Sequence, residues 1–422
     1  MKKIFKDKKV LIMGLGLLGG GVGTVEFFVK QGADVLVTDK RNPEELKESL
    51  AKIKRFPVKL ILGRHRKKDF KNCDLIVKNP AVPNNSPYLK IARKNNIPIK
   101  TDIDIFFDLC KTPIIGITGT KGKSTTATLI YLLLKTKYPN TILAGNIGIS
   151  PLRFLSKLTN LPTGQAGKSK IVLELSSFEL ENLKKSPKIA VITTIFPDHL
   201  NRYKSFKDYI RAKKTIFKYQ KKEDILVLNY NNPYTRTFAL SAPSKVYFFK
   251  DSNVSAALAV AKILKISNKN IKKVLSNFKG ISNRQELIAI KRGVKYINDT
   301  TATTPQSTIL AINTFKKRFP DSKIILISGG LDKRLDYKNL AKEIQKNVDY
   351  LVLLPGTASN KLKKKLKKFR IYSANSMEKA VSMAKKIAKK NDIVLFSPGA
   401  ASFNLFKNEF ERGEKFCKAV KK

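Results

Sequence analysis

GITGTKGKST, residues 116–125, lies between the apolar run Pro113–Ile117 and a helical pattern over Ser124–Lys135. A strand that ends in a glycine-rich turn and reopens as a helix points backbone N–H groups, at the positive end of the helix, toward one spot. Phosphate groups bind at such spots. Lys123 adds a cation for those phosphates, and the Ser124 hydroxyl adds a hard oxygen suited to Mg2+. Gly119, Thr120, Lys121, Gly122, Lys123, Ser124 and Thr125 are therefore expected to bind ATP. Gly116 stands one residue too early for the strict Walker spacing, so the strand before and the helix after carry the assignment.

The same strand-to-helix alternation extends in both directions. Strand-like runs occur at Lys9–Met13, Asp34–Thr38, Asp74–Lys78, Lys170–Leu175, Ile189–Phe196, Lys323–Ser328, Tyr350–Leu354 and Asp392–Phe396, with helical patterns such as Ser376–Lys389 among them. This predicts an α/β fold of mostly parallel sheets with helices on both faces. At 422 residues the chain is too long for one core. Breaks near Thr101 and near Gly280–Ser282 divide it into 1–101, 102–281 and 282–422.

A second glycine loop, GLGLLG at 14–19, follows the strand Lys9–Met13, and Asp39 closes the next strand. Gly14 and Gly16 let the backbone approach a pyrophosphate, and the acid can bond a ribose or a base. Taken alone, the motif would suggest NAD. Two further sites stand where predicted buried strands end: Glu174 in IVLELSS, and Asp198-His199 after ITTIFP. A carboxylate in an apolar strand costs several kcal/mol unless it is paired or metal-bound. Ser124, Glu174 and His199 form a plausible Mg2+ ligand set beside the phosphates. His65, among arginines and lysines, reads as a surface residue.

Lys and Arg number 84 against 32 acids, a net charge of +52. The lysines are spread through every segment, with no basic patch interleaved with aromatics, so compositional bias is preferred over a nucleic-acid partner. The field would still draw in anionic substrates. Cys73, Cys110 and Cys417 match no metal spacing and suit a reducing cytoplasm. No run of about 18 uncharged apolar residues suggests a membrane span, and the basic start leads into a glycine loop rather than a cleavage site.

GTKGKST, LELSSFEL, PDHLNRY with RAKK downstream, and SPGAASFNLFKNEFERG occur in that order. Together they resemble the Mur ligases over essentially the whole chain, and among them the branch that adds glutamate to UDP-N-acetylmuramoyl-L-alanine. The resemblance implies two Rossmann-like domains flanking a central P-loop ATPase domain. It implies a cytoplasmic, monomeric ATP-dependent ligase of cell-wall precursor synthesis that uses two Mg2+ ions. It turns the first glycine loop into a UDP site, with Leu17, Leu18 and Asp39 as contacts and Asn146 on the muramoyl part. Lys123, Glu174, His199 and Lys213 become catalytic, Lys213 by register as a carbamylated lysine sharing the metals with Ser124, Glu174 and His199. Arg284 and Asp299 match ATP contacts, and Thr303, Lys333 and Ser402 match positions that hold glutamate. The chain departs from the family at Thr301, where a lysine is common, and at Ala256, where an adenine-contacting asparagine is expected. Threonine-rich runs like 300–304 also resemble a group that accepts L-glutamate. Other readings are a further Mur or folylpolyglutamate-type ligase and, from another class, a nucleic-acid-binding ATPase.

Overall fold

Apolar runs without polar alternation need cover on both faces, which parallel strands joined through helices provide. The computed structural model describes residues 3–17, 19–159, 169–250, 252–366, 369–402 and 405–422, and it builds these runs into three sheets. The first sheet comprises β1 (Lys9–Met13), β2 (Asp34–Asp39), β3 (Val58–Leu62), β4 (Leu75–Lys78) and β5 (Ile99–Lys100). All pairs are parallel, in the order β3-β2-β1-β4-β5. The order reverses beside β1, so the loops after β1 and β4 open at a switch point, where sheets of this kind bind ligands.

The second sheet comprises β6 (Ile114–Thr118), β7 (Ile142–Gly145), β8 (Ile171–Glu174), β9 (Ile189–Ile192), β10 (Ile225–Asn229) and β11 (Lys245–Phe249). Its order is β11-β10-β9-β6-β8-β7, again all parallel. Every residue of β6, β8 and β9 is buried. With β6 between β9 and β8, the loops leaving these three strands share one edge.

The third sheet comprises β12 (Glu286–Lys291), β13 (Val294–Asn298), β14 (Ile324–Gly329), β15 (Tyr350–Leu354), β16 (Ile371–Ser373) and β17 (Ile393–Phe396). Its order is β12-β13-β17-β14-β15-β16, and only β12 runs antiparallel. Arg292 and Gly293, at φ 51° and 76°, make the two-residue turn between β12 and β13.

The chain forms two compact units, one of Met1–Ile195 with Ile210–Asn277, the other of Phe196–Tyr209 with Phe278–Lys422. The first holds the first two sheets. Its helix Gly20–Lys30 packs on the turn Pro151–Phe154, where Arg153 Nε donates to Glu26 Oε2 at 2.9 Å. The second unit is built around Ile312, Ile324, Leu340, Leu351 and Leu395, and Leu200 from the short segment packs against this core. Among the described residues no helix is long and apolar enough to cross a membrane.

Candidate active site

The phosphate loop leaves β6 at Thr118. Gly119 takes φ 145°, and a Cβ there would lie 1.9 Å from Thr193 Oγ1, so no other residue fits without displacing the strand beside it. Thr193 Oγ1 donates to the Lys121 carbonyl at 2.6 Å and to the Thr118 carbonyl at 3.2 Å, and Thr194 Oγ1 donates to Lys121 at 3.1 Å. Thr120 N–H reaches the Thr194 carbonyl at 2.6 Å. The end of β9 thus grips the loop from one side. The strand expected over Ile189–Phe196 stops at Ile192: Thr193 N–H still bonds the Thr118 carbonyl of β6 at 3.0 Å, but Thr194 then pairs with Lys121 of the loop. Gly122 caps the helix Lys123–Lys135 at φ 92°, and the Lys123 ammonium donates to the carbonyls of Gly119 at 3.0 Å and Thr120 at 3.2 Å.

Glu174 ends β8, next to β6, and is 1% exposed. Its Oε1 accepts from Asn146 Nδ2 at 2.9 Å, and Asn146 N–H bonds the Glu174 carbonyl at 2.9 Å. Its Oε2 is buried with no hydrogen-bond partner. A buried carboxylate oxygen left unbonded is costly, and a cation beside it removes that cost, so the site fits Mg2+. Ser124 opens the phosphate-loop helix and is itself buried. Lys213, on the helix Phe206–Lys218, is 1% exposed and donates to Thr118 Oγ1 at 3.0 Å and to the Gly119 carbonyl at 2.9 Å. Glu174, Ser124, Lys213 and Asn146 therefore all belong to the first unit and to the β6–β8 edge. Among the described residues no cluster of three or more His, Cys, Asp and Glu could hold a metal by itself.

The first glycine loop stands at the switch point of its sheet. Gly14 N–H bonds the Thr38 carbonyl at 2.7 Å. Asp39 is buried, and accepts from Gly16 N–H at 3.2 Å and Arg41 N–H at 3.0 Å, with the Arg41 guanidinium at 3.6 Å. The acid therefore braces the loop as well as facing its edge. Leu17 is half-buried, and Leu18 lies outside the described residues. His65 is not the plain surface residue expected. Thr38 Oγ1 lies 2.8 Å from its Nδ1, and its ring packs edge-on against Tyr88 at 5.0 Å and Phe70 at 5.8 Å. Burial and the neighbouring Lys40 hold its pKa below the usual value.

Two more acids lie in the first unit. Asp102 starts the helix Asp102–Leu109 and accepts from Ser150 Oγ at 2.9 Å. Glu179 caps its own helix, accepting from Ser176 N–H at 2.6 Å and Ser176 Oγ at 2.7 Å. Loss of water pushes Asp102 up to about 6, and Glu179, which also faces the charge of Asp102, up to about 7.

Asp198 and His199 are not on a strand tip as expected. They stand past the end of β9, in the segment Phe196–Tyr209 that belongs to the second unit. His199 takes φ 54°, its N–H donates to Asp198 Oδ1 at 2.7 Å, and its Nε2 lies 3.4 Å from Asp198 Oδ2. Lys333 Nζ stands 3.3 Å from Asp198 Oδ1 and donates to Thr303 Oγ1 at 3.1 Å. Asp198 loses water here, which would raise its pKa, but Lys333 and His199 outweigh that and hold it below the usual carboxylate range. The bridge Leu331↔Ala401 aligns the loop carrying Lys333 with the one carrying Ser402, which is 2% exposed. Thr303, Lys333 and Ser402 thus come from neighbouring loops after β13, β14 and β17.

Asp299 follows β13 and is fully buried. Its Oδ2 accepts from Ser397 Oγ at 3.1 Å and its Oδ1 from the N–H of Gln285, the residue after Arg284, at 3.3 Å. Thr301, at the departure from the family, uses its hydroxyl on the Asn283 carbonyl at 3.0 Å. Ala256, the other departure, is fully buried on the helix Asn253–Ile263, which packs against the phosphate-loop helix. Sequence reasoning did not find the grip of Thr193 and Thr194 on the loop, nor the Asp198–Lys333 pair. The first has a signal in the ITTIF run, where two hydroxyls close an apolar strand. The second joins residues 135 positions apart and has no local signal.

The description "Mur ligase MurD-like, N-terminal domain" matches residues 8–101, "Mur ligase middle domain" 117–290, and "Mur ligase, glutamate ligase domain" 283–399. A protein of Roseiflexus sp. named UDP-N-acetylmuramoylalanine–D-glutamate ligase is 39% identical, with 98% of each chain covered. One of the same name from Borreliella burgdorferi is also 39% identical, with 98% of each covered. Among solved structures, the UDP-N-acetylmuramate–alanine ligase MurC of Thermotoga maritima superposes with a TM-score of 0.64 at 19% identity, covering 98% of this chain and 99% of that one, which bears on the fold alone. The chain belongs to the Mur ligase family, among the UDP-N-acetylmuramoylalanine–D-glutamate ligases.

Proposed function

We propose that this chain uses ATP to join D-glutamate to UDP-N-acetylmuramoyl-L-alanine, in the cytoplasm, as a step of peptidoglycan precursor synthesis. The observation that carries the reading is the unbonded, buried Oε2 of Glu174 at the edge where the phosphate loop opens. An ATP-using site needs a cation there, and the named relatives supply the reaction. Residues 1–101 hold the UDP end through Gly14, Gly16, Leu17, Leu18 and Asp39, with Asn146 reaching the muramoyl part. Residues 102–281 hold ATP on 119–125, and 282–422 add Arg284 and Asp299 toward ATP and Thr303, Lys333 and Ser402 toward glutamate.

In the reaction the alanyl carboxylate attacks the γ-phosphorus of ATP, ADP leaves, and an acyl phosphate forms. The glutamate amine then attacks the acyl carbon, and phosphate departs. Lys123 and the loop N–H groups offset charge on the phosphoryl oxygens. Ser124, Glu174 and Lys213 are the residues of the first unit that would hold Mg2+, which when bound would polarise the phosphoryl group as a Lewis acid. Asn146 fixes the Glu174 carboxylate so that its second oxygen stays aimed. The test is phosphate release from ATP with UDP-N-acetylmuramoyl-L-alanine and either D- or L-glutamate. Turnover with D-glutamate is the expected result. Preference for L-glutamate would move the chain to the variant group suggested by its threonine-rich run.

A further inference from the structure

The Asp198 carboxylate does not fit a purely anion-holding site. It is 6% exposed, yet it lies 3.3 Å from the ammonium of Lys333, which at the same time donates to Thr303 Oγ1 at 3.1 Å. Lys333 and Thr303 are two of the three residues read above as holding glutamate. The third, Ser402, has its hydroxyl in no hydrogen bond among the described residues and sits on the loop that the Leu331↔Ala401 bridge aligns with Lys333. These loops therefore offer the Lys333 ammonium, two hydroxyls and an anion fixed by Lys333 and His199.

Consider an amino acid arriving there. When its carboxylate settles on Lys333, it shares that ammonium with the buried Asp198 carboxylate, and the two anions repel. A diacid makes this worse. An α-amino acid brings its own ammonium, and Asp198 Oδ1 is the anion within reach of the same lysine. Charges then alternate: Asp198, substrate ammonium, substrate carboxylate, Lys333. The Asp198 carboxylate is held for this by its own neighbours, since His199 N–H donates to Oδ1 at 2.7 Å and the His199 ring stands 3.4 Å from Oδ2.

We propose that Asp198 recognises the α-ammonium of the incoming amino acid and so positions the nitrogen that, after losing a proton, becomes the nucleophile, an assignment that rests on reading Lys333, Thr303 and Ser402 as the glutamate site. Asp198 thereby selects zwitterionic acceptors over diacids of the same length. A site that pairs a substrate charge rejects the analogue lacking it far more strongly than one that only fills space.

Glutarate and D-2-hydroxyglutarate keep the two carboxylates of glutamate and lack its ammonium. In the intact enzyme each should inhibit at least about tenfold more weakly than glutamate binds, because each leaves Asp198 facing a second anion. In Asp198→Asn the KM for glutamate should rise at least about tenfold, while the ratio of the glutarate inhibition constant to the glutamate KM falls at least about tenfold. The KM values for ATP and the nucleotide precursor should stay within about twofold, which general damage to the fold would not allow. Asp198→Glu keeps the charge and should keep the discrimination. An unchanged glutarate-to-glutamate ratio in Asp198→Asn, or equal binding of D-2-hydroxyglutarate and glutamate to the unaltered enzyme, overturns the assignment. The second comparison needs no variant and stands even if Asp198→Asn does not fold. Turnover of glutamate by the unaltered enzyme separates the outcomes: if it is absent, the ligase reading has failed; if it is present without amine discrimination, only Asp198 has.

Discussion

Glu174 carries one hydrogen bond on Oε1 and none on its buried Oε2. A carboxylate held in this way is strained without a cation and well aimed with one. Glu174→Gln keeps the bond from Asn146 and removes the charge, so phosphate release should fall at least about a hundredfold while binding of the nucleotide precursor is retained. Calorimetric titration of the variant with the precursor separates the two. Lys123→Ala, which removes the ammonium at the head of the phosphate-loop helix, should reduce turnover to background. Near-normal turnover would mean that the phosphates are held elsewhere. These two residues were legible in the sequence because each stands in a local pattern: a lysine at the head of a helix after a glycine turn, and an acid that interrupts an apolar strand. Asp198 was visible as an acid, but its partner was not, and its site lay off the strand tip where the pattern had put it. His65 was misread because what holds it, Thr38 and Tyr88, comes from distant segments.

At the scale of elements, two contacts decide how well the loops are held. Thr193 Oγ1 bonds two carbonyls of the phosphate loop. Thr193→Val keeps the shape and drops both bonds, for a cost of about 1–2 kcal/mol in loop order. The KM for ATP should rise about five- to thirtyfold, with the KM for glutamate unchanged. Gly413, in the last helix Glu409–Lys421, has no room for a side chain. A Cβ would lie 2.3 Å from Asn283 Oδ1 and 2.7 Å from the Thr300 methyl. The adjacent Arg412 is buried, and donates to Thr300 and to the Ala400 carbonyl, tying the loops after β13 and β17. Gly413→Ala should therefore destabilise the second unit by about 1–3 kcal/mol, visible in thermal melting. Asp102 and Glu179 give a pH signature. Both pKa values are raised on folding, so the stability tied to their protonated forms is complete near pH 4 and is lost as pH rises through about 6 and about 7. Glu179→Gln should accordingly raise the melting temperature more at pH 8 than at pH 5. An equal rise at both would mean that the carboxyl is not held neutral by burial.

Which elements could be read in the sequence follows from burial. β6, β8 and β9 are buried throughout and apolar up to Thr118 and Glu174 at the ends of the first two, because both faces are covered, so they stood out. β3 and β11 lie at sheet edges with half-exposed, lysine-bearing sequences, and β5 has two residues, so their periodicity carries little signal. The antiparallel β12 was likewise not singled out, since its exposed Leu287 and Ile290 break the alternation that would mark an outer strand.

Over the whole molecule, 84 basic against 32 acidic residues surround sites that take anionic substrates. That field raises encounter rates at low ionic strength and is screened above roughly 0.15 M salt. The specificity constants for ATP and the nucleotide precursor should therefore fall as salt rises, more steeply than that for glutamate, which carries less charge. The alternation of strand and helix, and the order of the motifs, were readable from end to end. The grouping of Phe196–Tyr209 with the second unit was not, because it depends on contacts such as Leu200 with a core built mainly from residues far along the chain. The most direct test of the ligase assignment is to follow phosphate release and product mass with ATP, UDP-N-acetylmuramoyl-L-alanine and D-glutamate, each omitted in turn. The expected result is one phosphate per amide formed, and none without all three. ATP hydrolysis indifferent to the nucleotide precursor, or no amide product, would contradict it.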